Sequence, residues 1–255
     1  METVQEKIDR FSEYNRKMIN VALAEHNLEF EGKPGKLILC AIFDSLSKAA
    51  FPELAKKNGK RFTQTISHHS GWSDWDRISL LQLCHAFDCI DTIPKEFIKL
   101  YDWVKAEKEK KFAPSCSILR ASIDLYNDPE RKDILTRWPS SDGMPKPLNG
   151  NFPVNFTHAE LLWRYRNKLA HEFRLPGAGF ESTSRPDRRP HYQNVGSISP
   201  DSAGGIIISH RWELIFPMRF FAQITENTLD SICQKHRENQ TSPFLHFEEG
   251  SYWLS

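Results

Sequence analysis

Residues 157–173 read THAELLWRYRNKLAHEF, and this stretch decides the fold class. Thr157 is a helix N-cap residue. Glu160, three positions on, can close a capping box, and Phe156 with Leu161 can form a hydrophobic staple. Leu162, Tyr165, Leu169 and Phe173 repeat at helical spacing and make an apolar stripe. Pro176-Gly177-Ala178-Gly179 then stops the helix near Phe173.

Working outward, most of the chain carries the same period. Val4–Leu28 has no Pro or Gly, with Ile8, Phe11, Met18 and Val21 near helical spacing. Lys36–Phe51 is apolar nearly all round, which predicts a central helix. Further helices are predicted over Gly59–Ser70, from Asp74 (capped by Ser73) to Phe87, from Pro94 to Phe112, and from Pro217 to Glu238. Ser115–Tyr126 and Pro129–Trp138 read as short helices, and Ser140–Asn155 as loop. The lysines at 105, 108, 110 and 111 alternate with Glu107 and Glu109 and read as a solvated face. Residues 174–204 lack periodicity, hold four prolines and read as a flexible basic loop. Residues 205–216, with Ile206-Ile207-Ile208, read as an extended segment. The tail from Phe244 to Leu254 also reads as extended. The expectation is one all-α domain over 1–255, a helical bundle with a small β element near the C-terminus.

Composition bounds the function. The chain has 255 residues, 17 Phe and 7 Trp, so a large aromatic core has to be buried and a wholly disordered chain is excluded. The longest apolar run, Leu37–Phe43, is far short of the roughly 20 residues a membrane span needs. Met1–Glu6 is polar and does not read as a signal peptide. Five cysteines without a Cys-x-x-Cys pair read as reduced thiols of a cytoplasmic protein. His68-His69 lacks a third ligand at metal spacing, and Cys84, His85 and Cys89 read as core packing, so no metal is expected. No phosphate-binding glycine loop, dinucleotide fingerprint or Gly-x-Ser-x-Gly elbow is present, and no cofactor is expected.

Arg166, Asn167 and His171 are the candidate catalytic groups. Arginine offers a planar, permanently charged fork for phosphate. Histidine exchanges protons near neutrality, and asparagine can orient a hydroxyl or a phosphate oxygen. On an ideal helix Arg166 and His171 lie about 140° and 7.5 Å apart, so one chain cannot easily aim both at one phosphate. Two chains about a two-fold axis can pool four groups. Asp44 stands among apolar residues and is read either as a core hydrogen-bonding group or as the residue that orients Arg166 or His171. Net charge is only +1, but seven Arg or Lys against three acids fall between Arg164 and His191. Arg174, Arg185, Arg188 and Arg189 are the candidate RNA contacts of that segment, with Phe180 and Tyr192 as stacking partners for unpaired bases.

Arg166-Asn167-Lys168-Leu169-Ala170-His171 resembles the signature of HEPN domains (higher eukaryotes and prokaryotes nucleotide-binding): Arg, a polar residue, a few more residues, then His, late in a helical bundle. The resemblance implies a helical bundle, a homodimer that brings two motifs together, and metal-independent RNA cleavage to 2′,3′-cyclic phosphate and 5′-hydroxyl ends. It further implies a role as a toxin or phage-defence effector, with an antitoxin or regulatory protein as partner. Some toxin members carry a modified Tyr two residues after the His; Phe173 stands there in this chain. The alternatives are a non-catalytic HEPN-like module that binds RNA, nucleotide or protein, and a structural helical protein in which Arg166 and His171 only form salt bridges.

Overall fold

The computed structural model describes residues 2–24, 32–54, 56–112, 122–174, 189–200, 206–245 and 247. In chain order the elements are α1 (Val4–Ala24), α2 (Lys33–Ala50), α3 (Asn58–His69), α4 (Leu80–Asp88), α5 (Ile98–Lys111), β1 (Ser122–Asp124), α6 (Arg131–Leu135), β2 (Ser140–Ser141), β3 (Met144–Pro145), α7 (His158–Glu172), β4 (His191–Pro200), β5 (Ile206–Ile215) and α8 (Met218–Glu238). The chain is mostly helical, with a small antiparallel sheet near the C-terminus. No helix among the described residues is long and apolar enough to cross a membrane. The sequence reads as one domain; the contacts cluster into two compact units. The first comprises residues 1–72, 165–176 and 218–255, and the second residues 73–164 and 177–217.

The first unit is a helical bundle. In it α1 packs on α2 and α8, and α3 packs on α2 and α8. Thr3 and Glu6 close a reciprocal capping box at the start of α1: Thr3 Oγ1 accepts from the Glu6 amide at 3.2 Å, and Glu6 accepts from the Thr3 amide at 2.7 Å. The buried stripe of α1 is Ile8, Phe11, Asn15, Ile19 and Ala22. The predicted positions 18 and 21 lie off it, and Val21 is exposed. As its sequence predicts, α2 is central, burying Leu39, Cys40, Ile42, Phe43 and Leu46. Pro34 fits its first turn, where the missing N–H is no loss. Gly35 lies where α2 meets α1 and α8: a Cβ there would stand 2.3 Å from the Ala22 carbonyl oxygen and 2.4 Å from Met218 Cε.

The second unit is mixed. α4 packs on α5, and a three-stranded antiparallel sheet runs in the order β1-β4-β5. Several expectations are corrected here. Residues 73–76 form a turn, and α4 starts only at Leu80, capped by Ser79, whose Oγ accepts from the Gln82 amide at 3.2 Å. The chain before it is extended because the Ile78 and Ser79 amides donate to Pro129 and Phe156 carbonyls, each at 2.9 Å. Within the predicted helix Ser115–Tyr126, residues 122–124 are a strand, since they pair with β4 in the register Ser122↔Gln193; residues 113–121 lie outside the described residues. The predicted loop 174–204 contains β4, which pairs with β5 from His191↔Ile215 to Pro200↔Ile206. Pro190 precedes the strand and Pro200 is its last residue, so neither interrupts the ladder. Within the predicted extended segment 205–216, Ile206–Ile215 form β5, as expected. Inside the predicted loop 140–155, β2 and β3 form a small hairpin through Asp142-Gly143, both at positive φ (52° and 75°), as a tight primed turn requires.

Candidate functional site

α7 forms as its sequence predicts. Thr157 Oγ1 accepts from the Glu160 amide at 3.3 Å. The Glu160 carboxylate does not return to the cap; it lies 3.6 Å from Arg164, and burial raises its pKa. The turns from Tyr165 onward belong to the first unit, with α2 and α3.

There the Arg166 guanidinium donates to Asp44 Oδ2, forming an ion pair between α7 and α2. Its other terminal nitrogen donates to Asn167 Oδ1 at 3.1 Å. Three predicted residues are therefore together, and the Arg166 and Asp44 side chains stay 19% and 26% exposed, enough to meet a solute. Burial raises the Asp44 carboxyl above the ordinary carboxylate value, while the charges of Arg166 and Arg61 oppose the rise. Asp44 is the last of three polar positions spaced i, i+4 and i+8 along α2, with Lys36 and Cys40. Lys36, fully buried, donates to the Tyr165 hydroxyl at 3.0 Å. Burial pushes the Cys40 thiol up to about 12, so it stays protonated and inert.

His171 is exposed, and among the described residues no hydrogen bond joins it to Arg166, Asn167 or Asp44. Around it, Glu172 pairs with Lys168 at 2.9 Å and with Arg174. Arg174 and Arg189 are exposed. Arg185, Arg188 and Phe180 lie outside the described residues. Tyr192 is no stacking platform. It is fully buried, edge-on to Phe112 with ring centroids 5.1 Å apart.

Tyr192 instead belongs to a buried polar cluster in the second unit that the sequence does not reveal. Asp128 is its hub. Oδ1 accepts from Lys111 Nζ at 2.6 Å, and Oδ2 meets His158 Nε2 at 2.9 Å and the Tyr192 hydroxyl. His158 Nδ1 lies 2.9 Å from the Asp74 carbonyl oxygen, and the Ser79 hydroxyl lies 2.7 Å from that of Tyr192. Asp128, His158 and Tyr192 are buried. Lys111, read as part of a solvated face, has a side chain only 10% exposed. The members stand at 79, 111, 128, 158 and 192, with no spacing pattern to betray them. Among the described residues no buried side-chain polar atom of the cluster lacks a hydrogen-bond partner, as a structural network requires.

Other candidates are settled by position. Cys84 is buried and lines a cavity of about 290 Å³ with Asp88, Tyr101, Lys105, Lys108 and Phe112. Cys89 and His85 are exposed, correcting their assignment to the core. His69 Nδ1 lies 2.8 Å from Ser231 Oγ. Among the described residues no group of three His, Cys, Asp or Glu could hold a metal ion.

The chain matches no protein-family model, no curated protein and no solved structure.

Proposed function

We propose that the chain is a metal-independent RNA endonuclease whose site is built from Arg166, Asn167 and His171 on a HEPN-type bundle, with Asp44 positioning Arg166. The observation that carries the reading is the Arg166–Asp44 ion pair. It ties the motif helix to the central helix and holds a guanidinium partly exposed beside Asn167. Arginine at a random helix surface needs no such partner.

In the proposed reaction the RNA 2′-oxygen attacks the adjacent phosphorus while the P–O5′ bond breaks. The proton leaves the 2′-hydroxyl and one reaches the 5′-oxygen, so a 2′,3′-cyclic phosphate and a 5′-hydroxyl end result. His171 is the general base or acid. The Arg166 fork stabilises the charge of the phosphorane, and Asn167 orients a phosphate oxygen. Because His171 lies apart from Arg166 on its own helix, a second copy of the chain completes the site. Arg174, Arg185, Arg188 and Arg189 guide the RNA backbone. The setting is cytoplasmic, as a toxin or phage-defence effector held in check by an antitoxin or regulatory protein.

The test is incubation of purified protein with mixed RNA, with and without chelator. Cleavage is expected in both. His171→Ala should lower the rate by about 10²–10⁴-fold, the usual share of general acid–base catalysis. RNA lacking the 2′-hydroxyl should resist. A wild-type rate in His171→Ala would remove His171 from the chemistry. The exposure of His171 away from the Arg166–Asp44 pair also favours a second reading, a non-catalytic RNA-, nucleotide- or protein-binding module; binding of RNA without cleavage would establish it.

A further inference from the structure

A second cation, Arg61, acts on Asp44 through space. The Phe43 and Phe62 rings meet with centroids 4.8 Å apart where α2 packs on α3. Asp44 follows the first ring in sequence and Arg61 precedes the second, so the ring contact brings the two charged positions to the same crossing. The electrostatics agree, since Arg61 acts on the Asp44 carboxyl through space. Arg61 is half-buried, and among the described residues its guanidinium makes no hydrogen bond or ion pair. Arg166, by contrast, is spoken for by Asp44 and Asn167. One guanidinium is thus paired with the carboxylate and a second acts on it only through space, so these three groups carry a net positive charge. An anion that approaches them meets a fork that no protein partner among the described residues holds, next to the one proposed to hold the reacting phosphate.

We infer that Arg61 is a second phosphate-binding residue of the Arg166 site, contacting the RNA backbone beside the reacting phosphodiester. The inference rests on the RNA reading above. It adds a residue on a different helix, far in sequence from the motif, and it makes single-stranded RNA with a flanking phosphate the substrate class. A planar guanidinium suits this task because it binds phosphate oxygens two at a time and is never deprotonated.

The experiment measures binding of a fluorescein-labelled single-stranded RNA oligonucleotide by anisotropy over a salt series. The protein carries His171→Ala so that the RNA stays intact. Arg61→Gln is expected to weaken binding about tenfold at moderate salt, the worth of one charged hydrogen-bonded contact. The log–log salt slope should become shallower by about 0.7, the counterion release of one single-strand phosphate. Arg61→Lys should keep the slope, since it keeps the charge, and it guards against a folding defect in Arg61→Gln. A slope lost in Arg166→Gln but kept in Arg61→Gln overturns the inference and leaves the RNA reading standing. No RNA binding by the parent protein, or no slope change in either variant, overturns the RNA reading and this inference with it.

Discussion

Asp128 shows how much a single buried carboxylate organises. Burial pushes its pKa up, but the hydrogen bonds and charges of His158 and Lys111 outweigh burial and hold it below the ordinary 3.8. A depressed carboxyl stabilises the folded state above its unfolded pKa, and the contribution is lost as pH falls through the lower, folded value. The second unit should therefore lose stability below about pH 4. Asp128→Ala should cost about 3–5 kcal/mol at neutral pH, because it leaves Lys111 without its buried counter-charge. Urea unfolding measures this; a loss below 1 kcal/mol, on the order of a surface ion pair, would show that the cluster is not the hub of its unit. His69 in the first unit has the same sign, in a higher pH window. Burial, then Lys235 and His68, lower it from 6.5 to about 4, so the folded state resists protonation. Its stabilisation is complete above 6.5 and fades as pH falls from 6.5 to about 4. His69→Gln should flatten that part of the stability–pH curve; an unaltered curve would assign the acid limb to other groups.

At the scale of elements, the crossing of α2 with α1 and α8 depends on Gly35. Met218 Cε is the end of a flexible side chain and can move, but the Ala22 carbonyl belongs to helix backbone and cannot without shifting α1. Gly35→Ala should therefore destabilise by about 1–3 kcal/mol, as overpacking does, despite alanine's better helix propensity. Thermal melting decides it, and a stabilised variant would mean that α1 yields easily. The same packing explains what the sequence discloses. Helices with a long apolar period or a strong cap, such as α2, α7 and α8, are legible because their own residues specify them. The strand over 122–124 was not, because its hydrogen bonds come from partners 69 residues away, in the register Ile123↔Tyr192, and β4 was not, because its own residues do not specify its pairing with β5 and β1. Ser79 displaced Ser73 as the cap of α4 for a similar reason: the amides of 78 and 79 are claimed by distant carbonyls. At the candidate site, the motif and Asp44 were legible from residue type. Arg61, inferred as a further member, was not, because the Phe43–Phe62 contact that links its helix to that of Asp44 joins residues distant in sequence.

For the whole molecule, a net charge of +1 leaves little long-range attraction for a polyanion, so the proposed RNA recognition falls to local groups. The geometry of α7 then makes a demand on assembly. Arg166 is drawn toward Asp44, while His171, about 140° further round the helix, is exposed. One copy therefore offers the phosphate an arginine on one side and a histidine on another. In the proposed assembly, a two-fold dimer that apposes the ends of two α7 helices would supply the missing group from the second copy. The expected result is a rate per chain that falls on dilution through the dimer dissociation constant, in step with the dimer fraction from light scattering. Mixing offers a sharper test. Arg166→Gln and His171→Ala homodimers each lack one kind of group altogether, whereas their mixed dimer keeps one Arg166 and one His171 on opposite chains. If the cleft is shared, mixed dimers regain part of the rate that neither parent has. If mixed dimers form and remain inactive, or if a monomer cleaves at the full rate, each chain must bring its own arginine and histidine together. The regular helix from His158 to Glu172 would then have to unwind near its end for catalysis.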